Sequence, residues 1–178
     1  MSTRRGFGDE TWRLARAGDG AALERAAGLL LADPGELEYE GHRARAFRLA
    51  VEGNAVAALA ELNQGWSEGW PSPAAYAVDV ARIHFLAGDC AKALTALRLD
   101  VRTASHLDGL RGLLVDCVRR EPTLWRTALA IAVAGEDSAG AKLRATAAVV
   151  NARVTGSRAR SSRAAAPPRA ARAPNESP

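Results

Sequence analysis

The sequence contains few of the residues that build β-sheets, disulfide frameworks or membrane spans. Aromatic residues make up 5% of its 178 residues, and β-branched residues form no alternating run, so an all-β fold is not expected. The only cysteines, Cys90 and Cys117, lack the spacing of a C-x-x-C metal or redox site. No apolar stretch approaches the roughly 18 residues of a membrane span, and the N-terminus has no apolar signal segment. We therefore predict a cytoplasmic protein without a membrane partner.

Lysine and methionine are also scarce, whereas alanine and arginine are abundant. The chain has 40 Ala and 22 Arg but only 2 Lys, and its one Met is Met1. This bias is typical of a bacterial chain from a GC-rich genome and says little about function. The length suits one domain with a tail, and it is large enough to bury a core without disulfides.

The positive charge is concentrated at the C-terminus. The formal net charge is +4, and residues 156–178 carry five arginines against Glu176, so the first 155 residues sum to zero. The segment 156–178 is rich in Ala, Pro and Ser, a composition that favours disorder. We predict a folded domain over 1–155 and a disordered tail over 156–178. The tail is either solvated without a partner or an electrostatic arm for nucleic acid or an acidic protein, carried by Arg158, Arg160, Arg163, Arg169 and Arg172.

Residues 10–152 have a helical apolar period that is interrupted by regularly spaced glycines. Gly18, Gly53 and Gly88 lie 35 residues apart, and each is followed by Asp or Asn, residue types that cap a helix N-terminus. Small and bulky apolar residues recur at fixed distances after each glycine. The pattern predicts an all-α chain of about seven to nine helices, built from helical hairpins. The alternative is an irregular helical bundle.

These units resemble the tetratricopeptide repeat, most clearly over Ala74 to Leu99. Ala81, Gly88-Asp89, Ala93 and Leu97 match the small, turn, small and bulky positions of that family. The resemblance covers roughly residues 4–105 in degenerate form, and residues 106–155 continue the helical pattern with a shifted phase. It implies an α-solenoid in which the first helices of successive units line a concave groove that binds a protein or peptide.

The sequence contains no pattern that specifies catalysis. The three histidines are far apart, no phosphate-binding glycine motif occurs, and we expect no catalytic residue, metal or cofactor. Glu36, Glu38 and Glu40 are interpreted as a solvated acidic cluster at a helix start. We therefore expect a binding protein and not an enzyme.

The resemblance implies a partner-binding groove on the first helices. Its residues mix aromatic rings with guanidinium groups, as a groove for an acidic peptide would: Trp12, Arg16, Arg43, Phe47, Arg82 and Phe85. Two further tryptophans either plug the gap between hairpins or form a second contact surface, Trp66 and Trp70. The function predicted is a protein–protein interaction adaptor. The alternatives are a nucleic-acid-associated regulator that uses the basic tail and an enzyme of unknown type. The sequence leaves the oligomeric state open.

Overall fold

A computed structural model describes residues 4–32, 35–66, 71–98, 110–134 and 139–164. Within these ranges the chain forms helices and no strand, in agreement with the predicted all-α class. The α-helices, in chain order, are α1 (Arg4–Ala17), α2 (Gly20–Ala32), α3 (Glu38–Val51), α4 (Ala55–Gln64), α5 (Pro73–Leu86), α6 (Cys90–Arg98), α7 (Leu110–Arg120), α8 (Trp125–Ala134) and α9 (Ala139–Ala164). Short 3-10 turns at Gly35–Leu37 and Pro122–Leu124 precede α3 and α8.

The three glycines predicted to break helices do so by the same local mechanism. Gly18, Gly53 and Gly88 have φ values of 72°, 84° and 92°, a left-handed conformation that costs glycine little. The following Asp19 accepts a hydrogen bond from the amide of Ala22 at 2.9 Å. Asn54 and Asp89 each accept a hydrogen bond from the backbone amide three residues further along the chain. Each glycine therefore ends one helix, and the next residue caps the one that follows. The hydrogen bond that the backbone amide of Lys92 donates to the Asp89 carboxylate lowers the pKa of Asp89.

The hairpins pack through the small and bulky positions identified in the sequence. Ala58, Leu62, Ala93 and Leu97 are all fully buried. The buried apolar residues form two clusters, one centred on α2 to α4 and the other on α5 to α9. Trp12 of α1 packs against both clusters and so joins them.

The last helix is longer than the sequence predicted. α9 runs to Ala164, nine residues past Thr155, where we placed the end of the folded domain. Gly156 is buried, and a Cβ added there would lie 2.7 Å from the Arg119 carbonyl oxygen. The predicted tail boundary is therefore wrong: residues 156–164 are helical, and the first of them contacts α7. Residues 165–178 lie outside the described part of the chain.

No helix in the described part of the chain is long and apolar enough to cross a membrane.

Candidate binding groove

The three aromatic residues of the predicted groove meet at one point. The indole of Trp12 on α1 lies 5.9 Å from the ring of Phe47 on α3 and 6.2 Å from that of Phe85 on α5. Both pairs are edge-to-face, the arrangement that aromatic quadrupoles favour. The first helices of the three hairpins therefore come together at these rings. Phe47 and Phe85 are buried beneath Trp12, however, so the expectation that they offer an open apolar surface is corrected.

The two arginines expected to clamp a partner carboxylate contact a carboxylate of the chain itself. Asp79 on α5 is buried, and Arg82 Nη1 donates to its Oδ1 at 3.0 Å. Arg43 Nη1 of α3 lies 3.6 Å from Asp79 Oδ2, and Tyr39 Oη donates to that oxygen at 2.8 Å. This network offsets the cost of burying three charges between α3 and α5. Burial and the adjacent Asp79 raise the pKa of Tyr39 far above its ordinary value.

The buried network is not fully satisfied. Arg43 Nε, Arg43 Nη2 and Glu40 Oε2 have no hydrogen-bond partner among the described residues. Glu40 is buried, so the interpretation of Glu36, Glu38 and Glu40 as a solvated cluster is wrong at this residue. Arg82 also lies over the Trp12 ring, with its guanidinium carbon 5.0 Å from the ring centroid. The network thus links the charged interior to the aromatic cluster.

Sequence reasoning missed Tyr39 and Asp79 as members of this site. The available signal was an aspartate in an otherwise apolar stretch, three residues before Arg82, a spacing that places both on one helix face.

An open cleft lies beside the aromatic cluster, where α1, α5 and α7 end. It has a volume of about 650 Å³ and is lined by Ala15, Arg16, Ala17, Gly18, Val51, Phe85, Leu86, Asp116, Arg119 and Arg120. Three arginines here face one aspartate, so the lining has a net positive charge. A depression of about 450 Å³ at Trp12 and Arg13 shares Arg16 and Ala17 with the cleft. Of the six predicted groove residues, Arg16 and Phe85 reach the cleft.

The arginines of the cleft are positioned by specific contacts. Arg16 Nη2 lies 2.7 Å from Asp116 Oδ2, an ion pair that joins α1 to α7, and Arg119 Nη1 lies 3.5 Å from the other oxygen. Arg120 Nη1 donates to the Phe85 carbonyl at 2.7 Å, and its guanidinium carbon lies 4.3 Å from the Phe85 ring centroid. The side chains of Arg16 and Arg119 are at least half exposed. Both can therefore reach a ligand while the cleft keeps its shape.

The secondary candidates do not line this cleft where the structure describes them. Trp66 is half exposed and stacks on Tyr76 of α5, with ring centroids 5.1 Å apart. Trp70 lies outside the described residues, as do two of the tail arginines, Arg169 and Arg172. Arg158, Arg160 and Arg163 belong to α9. The Arg160 guanidinium donates to the Arg120 carbonyl, which connects α9 to the end of α7.

The two cysteines are buried in the core, and His84 is partly buried. Cys90 and Cys117 are buried free thiols on α6 and α7. A hydrogen bond between them lowers the pKa of Cys90, and the same bond together with burial raises that of Cys117. Burial lowers the pKa of His84. No cluster of three metal-ligating side chains occurs in the described ranges.

The chain matches no protein-family model, no curated protein and no solved structure.

Proposed function

We propose that this chain is an interaction adaptor with a tetratricopeptide-like arrangement of helical hairpins. It binds an acidic peptide segment of a partner protein in the cleft between α1, α5 and α7. The observation that carries the proposal is the lining of that cleft, in which three arginines lie beside one aspartate.

The hairpin geometry supports the adaptor role. Three helix pairs turn at left-handed glycines 35 residues apart, and the first helix of each pair contributes an aromatic ring to one cluster. Stacked units of this kind create extended concave surfaces, which is how solenoid proteins bind their partners. The cleft opens at the edge of that cluster.

The chemistry of the cleft favours carboxylates. Guanidinium groups pair with carboxylates through two parallel hydrogen bonds, and Arg16 and Arg119 are exposed enough to do so. The volume of about 650 Å³ lies within the usual range of ligand sites and accommodates a few side chains. Trp12, which is half-buried at the adjoining depression, supplies an apolar contact for a neighbouring peptide residue.

A pair of synthetic peptides tests the proposal. One is a fluorescein-labelled 12-residue peptide with four glutamates and two leucines, and the other has glutamines in place of the glutamates. We expect fluorescence anisotropy to give a dissociation constant at least about tenfold lower for the glutamate peptide. Arg119→Glu should weaken its binding by about tenfold, or ~1.4 kcal/mol. The matched control is Arg25→Glu on α2, an exposed arginine outside the cleft.

Circular dichroism should confirm that both variants keep the helical content of the parent. If Arg119→Glu and Arg25→Glu bind the glutamate peptide equally well, the cleft is not the binding site.

A further inference from the structure

The last helix has two apolar faces, and the described part of the chain covers only one of them. Ala145, Val149, Ala152 and Gly156 are buried where α9 packs on α7 and α8. On the opposite side, Leu143, Val150 and Val154 are 71%, 39% and 44% exposed, and the exposed Ala147 lies between them. We call these four residues, Leu143, Ala147, Val150 and Val154, the α9 stripe.

The spacing of the α9 stripe is that of a helix-packing surface. Its residues follow one another at intervals of four, three and four, which places them in one row along the helix. Three of the six large apolar residues that are exposed in the described chain belong to this row. An exposed row of this kind marks an interaction site more often than isolated apolar residues do.

Cations flank the α9 stripe on both sides. Lys142 and Arg153 lie along one edge, Arg144 lies along the other, and all three are exposed. α9 has six cationic residues and no acidic one. The described ranges 110–134 and 139–164 contain ten cationic and two acidic residues, for a net charge of +8. A partner that covers the stripe therefore meets positive charge along both of its edges.

We propose that the α9 stripe binds an acidic amphipathic helix of a second protein, whose apolar face covers the stripe and whose carboxylates pair with the flanking cations. This surface faces away from α7 and α8. It is separate from the cleft between α1, α5 and α7, which we call the arginine cleft. The chain would then hold two partners, one at each site.

Charge and shape favour an acidic helix over three other occupants of the α9 stripe: a second copy of the chain, nucleic acid and a membrane surface. A second copy packed through the same stripe would bring cations against cations, which repels it. Nucleic acid would satisfy the cations but leave the apolar row against phosphates and sugars. A membrane surface would satisfy both features, but interfacial helices usually insert aromatic or leucine side chains, and the stripe has one leucine and no aromatic residue.

The test uses a labelled 21-residue helical peptide with leucine at the first and fourth positions of each heptad and glutamate beside them. A second peptide has lysine in place of glutamate. By fluorescence anisotropy at 150 mM salt, we expect the glutamate peptide to bind the full chain at least about tenfold more tightly than the lysine peptide. Val150→Asp should weaken that binding at least about tenfold.

The matched control is Val56→Asp on α4, because Val56 is also an exposed valine, at 82%. It should bind the peptide within about twofold of the parent. Because the cleft is also proposed to bind acidic peptides, the two valine variants are compared again in a chain that carries Arg119→Glu. A loss of binding by Val150→Asp that persists in that chain separates this surface from the proposed cleft function.

Several outcomes would overturn the proposal. Equal binding of the two peptides, or unchanged binding by Val150→Asp, would remove the stripe as a helix site. Tighter binding to a 20-base-pair DNA duplex, or to vesicles with 30% phosphatidylserine, than to the glutamate peptide would assign the surface to nucleic acid or lipid. A dimer in sedimentation that Val150→Asp dissociates would assign it to a second copy.

Discussion

The three hairpins α1–α6 and the three helices α7–α9 use charge in different ways. In the hairpins, the described ranges 4–32, 35–66 and 71–98 contain eleven cationic and eleven acidic residues. Several of these charges are turned inward, where Asp79 holds Arg43 and Arg82 together. In α7–α9 the described residues carry a net charge of +8, and five cations of α9 are exposed: Lys142, Arg144, Arg153, Arg158 and Arg160.

The difference separates charges that pair inside the chain from charges that we propose meet a partner. Buried ion pairs contribute little net stability, but removing one partner leaves the other charge uncompensated. They therefore specify how α3 and α5 pack. Charges of one sign at the surface are suited to attracting an acidic partner. The arginine cleft lies where the two regions meet, between Arg16 of α1 and Asp116 of α7.

The largest expected effect is the loss of the buried carboxylate. Asp79→Ala would leave Arg43 and Arg82 buried without a counter-charge, so we expect the free energy of unfolding to fall by about 3–5 kcal/mol. Urea denaturation measures this change. The control is Glu52→Ala, which removes the exposed partner of Arg48 and should cost less than about 1 kcal/mol. If Asp79→Ala and Glu52→Ala lowered the free energy of unfolding equally, the buried ion pairs would not hold the hairpins together more than exposed ones do.

An intermediate effect is expected where α9 contacts α7. A methyl group at Gly156 would lie 2.7 Å from the Arg119 carbonyl oxygen, so Gly156→Ala should destabilise by about 1–3 kcal/mol. The control is Gly112→Ala on α7, where a Cβ meets nothing within 4 Å and the higher helix propensity of alanine should stabilise by roughly 0.5–1 kcal/mol. Thermal melting of the two variants should therefore shift in opposite directions. Shifts of the same sign would contradict the docking of residue 156.

The smallest expected effect concerns Tyr39 and alkaline pH. Its folded pKa lies above the ordinary value of about 10, so its contribution to stability is present below pH 10 and is lost as the pH rises further. Tyr39→Phe removes a hydrogen bond to Asp79 and should cost about 1 kcal/mol at neutral pH. It should also reduce the fall in unfolding free energy above pH 10. Urea denaturation from pH 7 to 11 checks both. A variant with the same alkaline slope as the parent would show that Tyr39 ionises freely in the folded chain.

The sequence predicted the hairpins well because their signals are local. The turn at each glycine depends only on the backbone conformation of that residue. Each helix cap depends only on a hydrogen bond to the amide three residues further along the chain. Trp12, Phe47 and Phe85 lie on three different helices, and the structure brings their rings together. The prediction of the tail boundary at 156 was wrong because composition reports disorder only as an average. Alanine and arginine, which make up five of the nine residues 156–164, are also strong helix formers.

By itself, the sequence determined the helical class, the places where the helices turn, and the small and bulky residues that fill the hairpins. The tertiary structure decided which charges are buried and which are displayed. Tyr39 and Asp79 are 40 residues apart, so no local signal pairs them, and only the packing of α3 on α5 brings them within a hydrogen bond. The tertiary structure also decided which apolar face of α9 is covered. Both apolar rows have the same helical periodicity, so the sequence pattern does not distinguish them. Contact with α7 and α8 selects the row of Val149 and leaves that of Val150 exposed.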